Sequence, residues 1–112
     1  MSEIAELSNI VKKFINERDW NKFHNPKNIA MSISIEAAEL MEVFQWYTNE
    51  ESRSSSFITE NLPAIEDEVA DIFIYLLSFI NVCNIDLVKA VKQKMERNYI
   101  RFPVEKVKGK LG

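Results

Sequence analysis

Glycine is nearly missing from this chain: its 112 residues hold two, with three prolines. So little turn-forming material argues against many short strands joined by tight hairpins and favours a few long elements. Cysteine occurs once, at Cys83, which excludes an intrachain disulfide and suits a reducing compartment. Histidine also occurs once, at His24, so no Cys/His set for zinc is present. There is no excess of basic residues. The net charge is −3, which argues against a surface built to coat nucleic acid, and no nucleic-acid partner is expected. The opening residues MSEIAELSNI are amphipathic and acidic, without a basic start followed by an apolar run. No signal peptide is expected on that basis, and the cytoplasm is the default location.

What the chain does have is apolar periodicity. At 46% hydrophobic and 11% aromatic it has the composition of a globular protein, and its length suits one domain, residues 1–112. Residues 66–83, EDEVADIFIYLLSFINVC, organise the rest. From Val69 to Cys83 the only charged residue is Asp71, and apolar residues fall on every side of a helical wheel, the pattern of a helix covered on most sides. The segment is too short to span a bilayer, which takes ~20 apolar residues, so no membrane association is expected. Cys83, inside this apolar helix, is expected to pack rather than react.

In order, residues 2–19 carry a helical stripe of Ile4, Leu7, Val11, Phe14 and Ile15. Asn25-Pro26 is a helix start signal, opening a second helix over 26–49. Residues 50–62, ESRSSSFITENLP, read as a loop, with Pro63 opening a third helix to Cys83. Asp86 caps a fourth helix, 86–98, and residues 99–112 form a tail. With no alternating strand pattern, the fold class is all-α, a small bundle. The third helix is too apolar for four helices of one chain to cover, so a dimer or larger assembly is expected.

Two helices each carry acids three apart: Glu36 and Glu39, then Glu68 and Asp71, with 28 residues between the pairs. Acids at that spacing share a helix face. The ordinary reading is a solvated face, but a lone aspartate in so apolar a helix, three residues from a glutamate, calls for a cation. If the four converge, their oxygen-only chemistry suits Mg²⁺ or Mn²⁺. A di-iron bundle would need a histidine three residues after a glutamate, and there is none. Trp20, Phe23 and His24 cluster in the first connection, and Phe44-Gln45-Trp46-Tyr47 ends the second helix. Such aromatics can cover the end of a bundle or stack on a flat ligand. Lys94 and Arg97 can serve a solvated basic face or reach a phosphate bound at the acids.

The runs HNPKNIAMSISIEAAELMEVFQW (His24 to Trp46), EDEVADIFIYLL (Glu66 to Leu77) and KMERNYIRFP (Lys94 to Pro103) resemble the MazG-like nucleotide pyrophosphohydrolases. The resemblance is nearest to their small single-domain, dCTP-pyrophosphatase-like branch, and it spans most of residues 20–103. It implies an all-α bundle of four to five helices, assembled as a homodimer or a dimer of dimers (homotetramer). It also implies Mg²⁺-dependent cleavage of a nucleoside triphosphate between the α and β phosphates, giving a monophosphate and pyrophosphate. Glu36, Glu39, Glu68 and Asp71 match the metal ligands, with Glu39 or Glu36 activating water. Lys94 and Asn98 match phosphate and sugar contacts, with Arg101 a further one, and Trp20, His24 and Trp46 match positions around the base. On this basis a house-cleaning enzyme acting on a canonical or modified pyrimidine dNTP is expected. A phosphoribosyl-ATP pyrophosphohydrolase is the alternative inside the superfamily. A non-catalytic helical module that binds a nucleotide or a partner is the alternative outside it. The basic residues Lys106, Lys108 and Lys110 map to no role.

Overall fold

A computed structural model describes residues 1–110 of the chain as an all-α protein. Four long helices are α1 (Glu3–Glu17), α2 (Pro26–Phe44), α4 (Ser55–Cys83) and α5 (Leu87–Arg101). Two short ones are α3 (Asn49–Arg53) and α6 (Val104–Val107), and a single 3₁₀ turn, Asn21–Phe23, precedes α2. The last two residues of the expected domain and tail, Leu111 and Gly112, lie outside the described residues. No described helix is by itself long and apolar enough to cross a membrane.

The helix ends follow local chemistry. Ser2 Oγ accepts from the Ala5 amide, and Asn25 Oδ1 from the Asn28 amide with Pro26 at the first helical position. α1 ends where Asp19 takes a left-handed conformation (φ 53°) and the Trp20 amide returns to the Ile15 carbonyl. α4 ends the same way at Asn84, and Asp86 then accepts from the Lys89 amide to start α5.

Residues 50–62 are not a loop. Thr48 and Glu51 cap each other's backbone amides and start α3, and the Thr48 backbone bond holds the Glu51 carboxyl below its ordinary range. Ser54 then caps α4, which runs through Pro63 instead of beginning there. Proline inside a helix forfeits a backbone hydrogen bond at about 3 kcal/mol. The aromatic cluster just upstream provides the offsetting interaction. Phe57 is buried against Phe44 and Tyr47, with ring centroids 5.5 and 4.5 Å away, and so ties the first turns of α4 to the end of α2.

α2 and α1 both pack on α4. Val11, Ile15 and Leu77 form the core between α1 and α4, with Ile4 and Ile80 against them. A reciprocal pair sets the register of these two helices. Ser8 Oγ donates to Asn81 Oδ1 at 2.6 Å, and Asn81 Nδ2 donates to the Ser8 carbonyl at 3.0 Å. Leu77 is 2% exposed, so Leu77→Ala is expected to destabilise the fold by about 2–5 kcal/mol in denaturant unfolding. A change below about 0.5 kcal/mol, the size of a surface substitution, would mean that this cluster is not the core.

The chain is open in shape. α5 leaves α4 through a turn of 100° and packs little against the other helices, and the radius of gyration is 17.5 Å. A compact chain of this length would have about 13 Å. Much of the apolar surface is uncovered, including Val69, Ile74, Leu76 and Val82 on α4. Cys83, expected to pack, is exposed at the end of that helix.

Candidate active site

α2 and α4 present their acids to each other. Glu36, Glu39, Glu68 and Asp71 each place a carboxylate oxygen so that all four lie within 4.8 Å of one another. Spacing three on each helix puts each pair on one face, and the packing of α2 on α4 brings the faces together. All four residues are half-buried.

The electrostatics of this set are unbalanced. Among the described residues the ion pairs are Lys22–Asp19 and Arg53–Glu50, both on the surface and neither including a member of the set. Glu36 Oε2 and Glu68 Oε2 are shut off from water and have no hydrogen-bond partner. The Glu36 carboxyl is pushed up to about 7, first by hydrogen bonding with Glu39, then by burial and by the charges of Glu39, Asp71 and Glu68. Burial is the leading cause that raises Glu68, followed by its hydrogen bond with Glu39 and the nearby charges of Glu39, Asp71 and Asp67. Without a cation, the cluster can relieve this repulsion only by holding protons. Four convergent carboxylate oxygens, from a set in which Glu36 and Glu68 each also carry a buried unpartnered oxygen, with no nitrogen or sulfur donor among them, fit a hard divalent cation such as Mg²⁺ or Mn²⁺.

The other residues singled out in the sequence lie elsewhere. Trp20 meets Phe14 edge-on at 5.9 Å, and His24 Nδ1 donates to the Trp20 carbonyl at 2.8 Å, which leaves Nε2 as the acceptor nitrogen of the ring. Both residues line an apolar cleft of about 760 Å³ between α1 and α4, together with Val69, Ala70, Phe73 and Ile74. Glu68 and Asp71 are not among its walls, so the cleft and the acids occupy different faces of α4. Trp46 is 84% exposed just beyond the end of α2.

Lys94, Asn98 and Arg101 sit on α5, spaced to share one face. Along α4, Asp71 lies about 18 Å before the corner at Cys83, and Lys94 lies about 12 Å beyond it on α5. At a 100° turn the ideal helix axes at these two positions stand about 20 Å apart, and those at Asn98 and Arg101 are farther still. Lys94, expected to reach a phosphate at the acids, stands across this corner from Asp71. Sequence reasoning also missed Ser8 and Asn81. They are 73 positions apart, and no local pattern links them.

Three comparisons bear on this arrangement. The profile of the MazG-like family matches residues 31–110. The chain is 35% identical over 106 residues to dCTP pyrophosphatase 1 of Bos taurus, covering 95% of this chain and 63% of that protein. It is 34% identical over 100 residues to dCTP pyrophosphatase 1 of Homo sapiens, covering 89% and 59%. The chain thus spans about three-fifths of the length of these relatives. The crystal structure of a pyrophosphatase from Archaeoglobus fulgidus superposes with a TM-score of 0.85 at 41% identity, covering 92% of this chain and 94% of that one.

Proposed function

The chain belongs to the MazG-like family, and from that premise we propose that it is a Mg²⁺-dependent nucleoside triphosphate pyrophosphohydrolase. It cleaves between the α and β phosphates and releases a monophosphate and pyrophosphate. The preferred substrate on this reading is a canonical or modified pyrimidine dNTP, cleared as a house-cleaning reaction in the cytoplasm. The names of the bovine and human relatives support the choice of a dCTP-like substrate. One observation carries the reading: four carboxylates meet within 4.8 Å, with two of their oxygens buried and unpartnered.

Glu36, Glu39, Glu68 and Asp71 would hold the dication. Bound there, Mg²⁺ would lower the pKa of a water and offset charge on the phosphates. Glu39 or Glu36 takes a proton from the attacking water or orients it, and the walls of α2 and α4 keep bulk water from the buried oxygens. By resemblance to the family, Trp20, His24 and Trp46 are assigned to the base, and Lys94, Asn98 and Arg101 to the phosphates and sugar, although within one chain Trp20 and His24 lie on a different face of α4 from the acids. The uncovered apolar surface of α4 supports a homodimer or homotetramer as the working form.

A panel of NTPs and dNTPs, canonical and base-modified, incubated with Mg²⁺ tests the reaction. Monophosphate and pyrophosphate are expected in equal amounts, fastest with a cytosine dNTP. Orthophosphate as the first product, or no turnover of any member, would overturn the assignment.

A further inference from the structure

We infer that Phe57 is a positioning residue: it clamps Phe44 and Tyr47, and through them sets the turn that presents Trp46 to the base of the substrate. The inference rests on the hydrolase reading above, in which Trp46 meets the base, and names a further residue of that site.

Residues 48–62 fold as a unit of their own. Among the described residues, their side-chain hydrogen bonds all close within four positions, and none reaches α2. Thr48 pairs with Glu51, Ser54 Oγ donates to the Glu51 carbonyl, and Asn61 Nδ2 donates to the Phe57 carbonyl. What ties the unit to the end of α2 is Phe57. At 7% exposed it is the one buried residue of the unit, while Ile58 and Leu62 beside it are exposed. α4 carries Pro63 in its interior and still runs back six positions to place Phe57 here. A helix beginning at that proline would avoid the strain and would leave Phe57 in a loop.

The ring holds the turn at Trp46. Its centroid lies 5.5 Å from that of Phe44 and 4.5 Å from that of Tyr47, the residues two before and one after the tryptophan. The Tyr47 amide closes the same turn by donating to the Phe44 carbonyl at 3.0 Å. Trp46 itself is 84% exposed, so its indole has little packing of its own, and the anchored neighbours set where it leaves the backbone. An aromatic ring held in place stacks on a base with little to order first, and a ring on a loose turn gives up part of that contact. Trp46 follows Glu39 by seven positions, two helical turns, and Gln45 keeps α-helical dihedrals just past the end of α2. Positions seven apart share a face, so Trp46 continues the line of the acids, about 10 Å beyond Glu39 along the axis. A triphosphate held at the acids extends its nucleoside over a distance of that order.

Phe57→Leu keeps apolar bulk and removes the ring, and Phe57→Tyr keeps the ring. With dCTP and Mg²⁺, Phe57→Leu is expected to raise KM at least about fivefold, the lower end for losing one base–aromatic stack, with kcat within about threefold of wild type. Phe57→Tyr is expected to restore the wild-type KM. Tripolyphosphate, which has no base, should inhibit wild type and Phe57→Leu equally. On a Trp46→Ala background Phe57→Leu should add nothing, because both changes remove one contact. Tyr47→Leu strips the other side of the clamp at an exposed residue, without emptying the core, and is expected to give the same split. Equal weakening toward dCTP and tripolyphosphate would make Phe57 a support of the fold alone and overturn the inference. So would a Phe57→Leu effect undiminished in Trp46→Ala.

Titration calorimetry with dCTP separates this inference from the reading it rests on. Affinity that falls in Phe57→Leu and Tyr47→Leu, in a protein that releases no pyrophosphate, sinks the hydrolase reading and sustains the clamp. Affinity equal in wild type and both variants sinks the clamp and leaves that reading in place.

Discussion

Glu68→Gln is expected to abolish Mg²⁺-dependent pyrophosphate release, by at least about a hundredfold, the scale for removing one preorganised charge-stabilising group. The same substitution is expected to raise the thermal stability of the protein in EDTA at neutral pH. Both effects follow from one geometry. Glu68 Oε2 is buried and has no donor, and a carboxylate oxygen of Glu68 lies within 4.8 Å of one from each of three other carboxylates. In metal-free protein its charge is a burden on the fold, made worse first by burial and then by its neighbours. Glutamine keeps the shape, removes the charge and brings a donor to the orphaned oxygens around it. A dication needs that charge, and an amide supplies a weaker ligand. The opposite signs exclude trivial inactivation by unfolding. An active Glu68→Gln enzyme would show that the acids do not work as one site. A variant that is both inactive and less stable in EDTA would show that Glu68 is a structural ligand of the fold, not a strained functional one.

The acid set was legible in the sequence because both causes of its geometry are local. Spacing three fixes a shared face on each helix, and a lone Asp71 in an apolar helix signals a partner. The course of α4 was not legible in the same way. Pro63 and the serines before it favour a break locally, and a tertiary contact, Phe57 against Phe44 and Tyr47, reverses that preference. The position of Lys94 was hidden for another reason. Helix periodicity shows which residues share a face and says nothing about the turn between two helices. The 100° corner at Asn84 sets the direction of α5 relative to α4, and a left-handed residue stands at it. The register pair Ser8 and Asn81 carried no signal at all, since two ordinary polar residues become a pair only after α1 docks on α4.

Metal dependence of stability is expected to grow with pH. Glu36 has a folded-state pKa of about 7 against an ordinary 4.5, and Glu68 is raised as well. Below about pH 4.5 these groups are protonated in both folded and unfolded chains and make no difference between them. As pH rises toward 7, the unfolded chain releases protons that the folded chain retains, so the metal-free fold loses stability across that window. Above about 7 the loss is complete, and the folded protein holds an unbalanced cluster of anions. A divalent cation binds the deprotonated form, so its stabilising effect should be small at pH 5 and large at pH 8, and binding near pH 6.5 should release protons. Unfolding temperatures in EDTA and in excess Mg²⁺ across that range test the first statement. Titration calorimetry in buffers of different ionisation enthalpy tests the second. Mg²⁺ increments equal at pH 5 and pH 8, with no proton release between them, would mean that the four carboxylates are not the metal's ligands. The same scan on Glu68→Gln supplies the control, because one raised carboxyl is gone and the fall in metal-free stability toward neutral pH should shrink. If it stays unchanged, the decline belongs to groups outside the α2–α4 acid set.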